Sequence, residues 1–236
     1  MKEVTNQMNK QPSVLAVMAH PDDAELRCFG TLLKYKEIGY ECKLLVVSGG
    51  ENGISLQDKL EYNIDYIPKT EREHETRSAF ENTGIEIDIL QFDDGNIRLD
   101  KSLIAAIEKV IRDFAPDVVI THCPEDLGVD HQDHSAVGKA AINIASRVEG
   151  VKKILLCEPL LTLRAGFIPN YFVDITKYFN RKMEALSHHK TQHGRYYLEE
   201  HYHVAKSVFY SLSLGAKPVE EGLKHEVFNA IFTLET

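Results

Sequence analysis

Histidine and aspartate are concentrated at two places in the chain, His20-Pro21-Asp22-Asp23 and His131-Gln132-Asp133-His134, with no cysteine at either. Imidazole nitrogens and carboxylate oxygens together suit a catalytic zinc or another borderline divalent ion that keeps a position open for water. Such a site takes about three protein ligands. His20, one of Asp22 and Asp23, and one of His131 and His134 can supply them. The members left over have work to do. A free carboxylate beside the ion can accept a proton from water whose pKa the ion lowers to about 7, and a free histidine can steady an oxyanion or protonate a leaving amine. Asp133 can orient that imidazole through a hydrogen bond. This is the chemistry of amide or ester hydrolysis by metal-activated water. Either cluster alone would read as a polar turn; two of them at the ends of two buried strands read as one site.

The surrounding elements explain how residues so far apart in sequence can meet. Val14 to Ala19 is a continuous apolar run, suited to a strand buried on both faces of a parallel sheet. His20 falls at its C-terminal edge, where open α/β sheets bind ligands, and Pro21 fixes the turn beyond it. A helix is expected over Phe29 to Gly39 and a second strand over Cys42 to Val47, ending in Ser48-Gly49-Gly50-Glu51-Asn52-Gly53. Residues 54–69 show no clean period and read as a flap. Thr70 to Gly84 reads as a helix with Thr70 as N-cap and Glu73 completing a capping box. Arg72 in its first turn opposes the helix dipole and so points to an anionic neighbour. Ile85 to Phe92 is a third strand, followed by Asp93-Asp94-Gly95, and Leu103 to Phe114 is an amphipathic helix.

Asp117 to Thr121 is a fourth buried strand, which runs through His122-Cys123-Pro124 into the second cluster. A helix follows over Ser135 to Val148; if it starts near Asp130 or His131, the imidazoles of 131 and 134 lie one turn apart on one face. Lys153 to Cys157 and Tyr171 to Asp174 are further strands, the latter at an edge, and Thr176 caps a helix reaching about His188. The irregularly spaced histidines of 188–203 read as surface or subunit contacts. This alternation of β and α implies parallel strands and a three-layer α/β/α sandwich with a mostly parallel, Rossmann-like sheet.

The 236 residues suffice for one domain, 1–236, with residues 1–12 flexible. A formal charge of −9 disfavours nucleic acid and anionic membrane surfaces as partners. With no apolar run of spanning length and no signal-peptide core, the expected compartment is cytoplasmic and the expected partner a small-molecule substrate, with self-association into a homo-oligomer left open. Four scattered cysteines without a CxxC indicate reduced, structural thiols.

The motifs carry a resemblance. AHPDDAE at Ala19 to Glu25, GGENG at Gly49 to Gly53, HQDH at 131–134, Arg72-x-x-Glu75 and Phe92-Asp93-Asp94-Gly95 resemble those of the LmbE-like or PIG-L family of zinc-dependent N-deacetylases. Lys182, Ala185, Leu186, His189, Thr191 and Gln192 fit the family's late K-x-x-A-L-x-x-H-x-S/T-Q pattern. The resemblance implies that His20, Asp23 and His134 bind Zn2+ or another divalent metal and that Asp22 is the general base. It further implies that His131 stabilises the oxyanion or acts as acid, that Asp133 tunes His131, and that Arg72 contacts substrate, a role expected also for Glu51 and Asp94 in the neighbouring loops. The implied reaction is removal of an N-acetyl group from an amino sugar or an amino-sugar-containing small molecule. The chain departs from the family at Arg27-Cys28-Phe29, where relatives carry smaller residues, which puts the adjoining pocket in question. A nucleotide-binding Rossmann protein is the main competing reading, but the first βα turn offers two carboxylates where a pyrophosphate needs backbone amides. A non-catalytic metal-binding subunit of the same fold is the other.

Overall fold

The computed structural model describes residues 10–54, 56–124, 131–215 and 222–234; most of the 1–12 stretch and loop residues 125–130 lie outside the described residues. The elements in chain order are β1 (Ser13–Met18), α1 (Asp23–Arg27), α2 (Phe29–Glu37), β2 (Glu41–Ser48), α3 (Leu56–Tyr62), α4 (Lys69–Ala79), β3 (Glu86–Phe92) and α5 (Lys101–Phe114). They continue with β4 (Val118–His122), α6 (Gln132–Ala145), β5 (Lys153–Cys157), β6 (Tyr171–Asp174), α7 (Phe179–Ser187), α8 (Glu200–Ser213) and β7 (His225–Thr233). Seven strands form one sheet in the order β3-β2-β1-β4-β5-β7-β6.

The apolar run of β1 is buried on both faces because its residues alternate between two cores. Val14, Ala16 and Met18 join Phe29, Leu32 and Leu33 of α2 and Phe179 and Ala185 of α7. Leu15, Val17 and Ala19 join Leu103, Ile107 and Ile111 of α5 and Val137, Ala140 and Ala141 of α6. This is the three-layer sandwich. β1 pairs in parallel with β2 on one side and β4 on the other, so the strand order reverses there and opens a crevice at the C-terminal edge. α6 packs so closely over β4 that a Cβ on Gly138 would lie 2.5 Å from the His122 carbonyl oxygen.

Several sequence expectations are corrected. The sheet is mostly parallel, as expected, but it contains a strand the sequence reading missed: β7 runs antiparallel between β5 and β6. Its alternation is masked because Glu226 occupies an inward position and is only 4% exposed. The HPDDAEL segment is not merely a turn, since Asp23–Arg27 forms α1. α4 begins at Lys69 with Pro68 in the N-cap position and no side-chain cap, so Thr70 lies inside it and makes no capping box. Proline's fixed φ starts the helix early, and the Pro68 carbonyl accepts from the amides of Glu71 and Arg72. α4 also ends at Ala79, and α6 ends at Ala145. Part of the presumed flap is helical, as α3. Thr176 is not a cap; its own amide is held by the Asp174 carboxylate. No helix among the described residues is long and apolar enough to cross a membrane.

Candidate active site

The ends of β1, β2, β3 and β4 meet around His20. Asp22, just before α1, has φ 91°, a left-handed conformation unusual for a residue with a side chain. Strain of this kind is of order 1–3 kcal/mol and persists only where the surroundings impose it. The turn places Asp23 at the start of α1, 3% exposed, with Asp22 beside it. His131 is the N-cap of α6 and His134 sits in its first turn, so both imidazoles reach the crevice.

His20, Asp23 and His134 form one group whose donor atoms lie within 4.8 Å of one another. His20 Nδ1 is 3.1 Å from His134 Nε2, which is 3.3 Å from Asp23 Oδ1. The other His20 nitrogen, Nε2, is 3.0 Å from Asp94 Oδ1 and 3.1 Å from Asp133 Oδ2. Two carboxylates on Nε2 keep the proton there and leave the Nδ1 lone pair facing Asp23 and His134, the arrangement that orients a metal-binding histidine. Around this set, four carboxylates (Asp22, Asp23, Asp94, Asp133) face two guanidiniums (Arg27, Arg72), an excess of negative charge that a divalent cation matches. The donor set thus fits a divalent ion. Burial disfavours a charged His20, but hydrogen bonds to Asp133, Asp23 and Asp94 outweigh it and raise its pKa well above the usual histidine range, so an ion would compete with a proton for the Nδ1 lone pair. Burial likewise opposes a charged Asp23, yet His134 holds its carboxyl well below the usual range.

The second group of histidine and carboxylate, His20, His131 and Asp133, shares His20 with the first. Asp133 is fully buried and accepts from the amides of Gly95 and Ile97 at 2.8 and 3.1 Å. Its carboxylate lies 3.8 Å from His131 Nδ1, beyond hydrogen-bond distance, so the expected Asp133–His131 bond is corrected to an Asp133–His20 bond. The reason is the helix start: His131 Nδ1 accepts the Asp133 backbone N–H, which turns the carboxylate toward residues 95–97. With Nδ1 accepting, the neutral ring carries its proton on Nε2. Burial and the neighbouring His20 and His134 push the His131 pKa down, which favours that neutral ring.

Arg72 is 2% exposed, and its guanidinium is spent on protein groups. Nη2 donates to the Pro21 carbonyl at 2.7 Å and to Asp22 Oδ2 at 3.2 Å, and Nη1 donates to Thr191 Oγ1 at 3.2 Å. Arg72 also lines the cavity, and the contacts its guanidinium makes among the described residues hold Asp22 in place. Gly50, at φ +67°, makes room: a Cβ there would lie 2.8 Å from Pro21 Cδ and 3.0 Å from Arg72 Nε. Glu51 does not line the cavity; it accepts from Lys69 Nζ at 3.0 Å and from the Asp94 amide, bracing β2 against α4 and the β3 end. Asp94 does line it, but its carboxylate is held by His20 and by the Asn52 amide at 2.7 Å.

The sequence reading gave three contributors no role in the site. His122, at the end of β4, stacks on His134 with centroids 4.1 Å apart and accepts the Ala19 N–H at Nε2. Burial and the neighbouring His134 push its pKa down to about 3, so it is a neutral wedge behind the donor set. Arg27 sets Nε 3.5 Å from Asp23 Oδ1 and Nη2 3.4 Å from His134 Nδ1, so the cation at this position has two partners in the donor set. The histidine-rich segment folds inward: His189, fully buried, bonds Glu25 at 2.8 Å, and His203 is 8% exposed, so neither is a surface contact. The same segment brings Arg195, Tyr196 and Tyr197 to a cavity of about 700 Å³ that also includes Asn52, Gln132 and Leu160. Alternating histidines and tyrosines gave no periodic signal for this.

Comparisons with known proteins agree with this geometry. The family described as PIG-L, GlcNAc-PI de-N-acetylase, matches residues 15–145, which include both clusters. An uncharacterised deacetylase of Escherichia coli K12, YaiS, is 32% identical over 188 residues, covering 78% of this chain and 93% of that protein. A probable N-acetyl-α-D-glucosaminyl L-malate deacetylase 2 of Bacillus cereus is 28% identical over 76% of this chain and 83% of its own length. Among solved structures, GalB, the 4-carboxy-2-hydroxymuconate hydratase of Pseudomonas putida KT2440, superposes with a TM-score of 0.79 over 95% of this chain and 98% of its own at 23% identity. That likeness is one of fold. With the motifs, the sheet edge and the family match in agreement, the chain belongs to the PIG-L family of LmbE-like deacetylases.

Proposed function

We propose that this protein is a metal-dependent hydrolase that removes the N-acetyl group from an amino sugar or an amino-sugar-containing small molecule. The observation that carries the reading is the division of labour around His20. Asp94 and Asp133 occupy its Nε2, its Nδ1 converges with Asp23 and His134, and Asp22 stands next to them held by Arg72. His20, Asp23 and His134 would hold the ion, zinc by its donor set, which supplies a Lewis acid that acidifies water and polarises the amide carbonyl.

The chain's own residues do the rest. Asp22 accepts the proton of the attacking water, and Arg72 keeps that carboxylate in place. His131, neutral and lining the cavity, offers its Nε2–H to the carbonyl oxygen as that oxygen gains charge. The proton collected by Asp22 leaves on the departing amine. Hydrolysis then yields acetate and a free amino sugar.

Support comes from the relatives: the Bacillus cereus protein is described as a probable deacetylase of an N-acetylglucosaminyl conjugate. The test is acetate release from a panel of N-acetylglucosaminides, run on zinc-loaded protein with metal content measured alongside. Acetate formed in step with bound metal is the expected result. Addition of water to an unsaturated carboxylate, the activity named for the Pseudomonas structure, with no acetate from any glycoside would overturn the reading.

A further inference from the structure

Next to the active cavity is a second concavity of different character, between the 158–164 turn and α8. Its volume is about 420 Å³, and its apolar walls come from Leu160, Leu161, Leu163, Tyr202, Phe209 and Tyr210. Tyr202 and Phe209 are two turns apart on α8 and so share a face. Leu163 is 86% exposed and Phe209 57%, an unusual investment of large apolar side chains at a surface. The one carboxylate in the wall, Glu158, is matched where it stands: Lys206 Nζ, the Tyr210 hydroxyl and the Thr162 hydroxyl all donate to it. The groove therefore offers no unmatched anion to a ligand.

Leu160 lines both this groove and the 700 Å³ cavity that contains His20, Asp22 and His134. The two spaces meet at that side chain. A volume of about 420 Å³ is in the range of small-ligand pockets. It suits an alkyl chain or an aromatic group attached to whatever occupies the cavity.

We propose that the substrate carries an apolar aglycone that passes Leu160 and lies in the groove against Leu161, Leu163 and Phe209, with Arg164 at its wall. The proposal deepens the deacetylase reading and rests on it only for the sugar end of the substrate. Apolar burial then sets preference, at about a fourfold gain for each methylene that enters the groove.

The test uses a homologous series of alkyl 2-acetamido-2-deoxyglucosides from methyl to octyl. KM is expected to fall by about fourfold per methylene once the chain passes Leu160, with kcat constant, and to level off when the groove is full. Leu163→Glu and Phe209→Glu change exposed positions and are expected to flatten that slope, the methyl glycoside serving as the folding control. A flat series in the wild type, or a slope unchanged in both variants, would overturn the proposal. A change in solution mass in the variants with the slope intact would instead assign the groove to contact between copies. A second arm measures calorimetric binding of alkyl glucosides that lack the acetamide. Affinity that climbs with chain length while no amide is hydrolysed would keep the groove and discard the deacetylase reading; acetate release without any chain-length dependence would do the reverse.

Discussion

Removing the Glu226 carboxylate tests how the helix that carries Asp23 is anchored. Glu226 on β7 caps α2 from across the sheet: its two oxygens accept the Gly30 and Thr31 amides at 3.0 and 2.7 Å. It also pairs with Lys182 of α7 at 2.8 Å, and Lys182 Nζ in turn donates to the Leu26 carbonyl of α1 at 2.9 Å. Both side chains are at most 4% exposed. Glu226→Ala leaves a buried ammonium unpaired, which costs about 3–5 kcal/mol in comparable pairs, and strips the acceptor from two helix-start amides. Against a total stability of about 5–15 kcal/mol, a loss of ~4 kcal/mol is large but survivable. Lys182→Met combined with Glu226→Met removes the charge problem and leaves the two orphaned amides, at about 1–3 kcal/mol each, a cost that Glu226→Ala bears as well, so the double variant is expected to lose less than Glu226→Ala alone. Urea unfolding at pH 7, followed by far-UV circular dichroism with the slope m checked for constancy, measures all of these. A loss below about 1 kcal/mol for Glu226→Ala, or a double variant worse than the single, would refute the argument.

Other expectations follow from the site. Asp22→Asn is expected to lower acetate release by about 10²–10⁴-fold with no fall in melting temperature, since asparagine tolerates the left-handed backbone; normal turnover would remove Asp22 from its role. Asp94→Asn and Asp133→Asn each weaken the orientation of His20 and are expected to reduce metal affinity by about 10–100-fold, read by competition with a chromophoric chelator. His203 should lower acid stability. Burial and the nearby Lys182 push its pKa down to about 2, its bond to the Tyr197 carbonyl notwithstanding. A folded-state value below the unfolded value of about 6.5 means its neutral form stabilises fully above pH 6.5. That contribution is lost as pH falls below 6.5 and toward 2, by at most about 1.4 kcal/mol per pH unit. His203→Gln should flatten the pH dependence of urea unfolding between pH 6.5 and 4; parallel curves for the two proteins would reject this.

The sequence by itself determined a good deal. Val14–Ala19 and Val118–Thr121 are continuous apolar runs, and such runs have few places to go except the middle of a covered sheet. Their C-terminal edges therefore had to hold the two histidine and aspartate clusters, and with them the fold class and the small set of residues from which donors would be drawn were legible. What it could not determine was which partner each polar side chain would find. Arg72 points to an anion that the sequence leaves unnamed until α4 is seen pressing it onto Pro21, Asp22 and Thr191. Asp133 reads as the neighbour of His131 until the helix start turns it to His20. Glu226 carries no assignment, and His189 reads as a surface contact, until β7 and the 188–203 segment are folded inward. The division has one physical cause. Apolar burial is non-directional and leaves a periodic trace along the chain, whereas hydrogen bonds and ion pairs are directional and are made between residues that only the folded packing brings together.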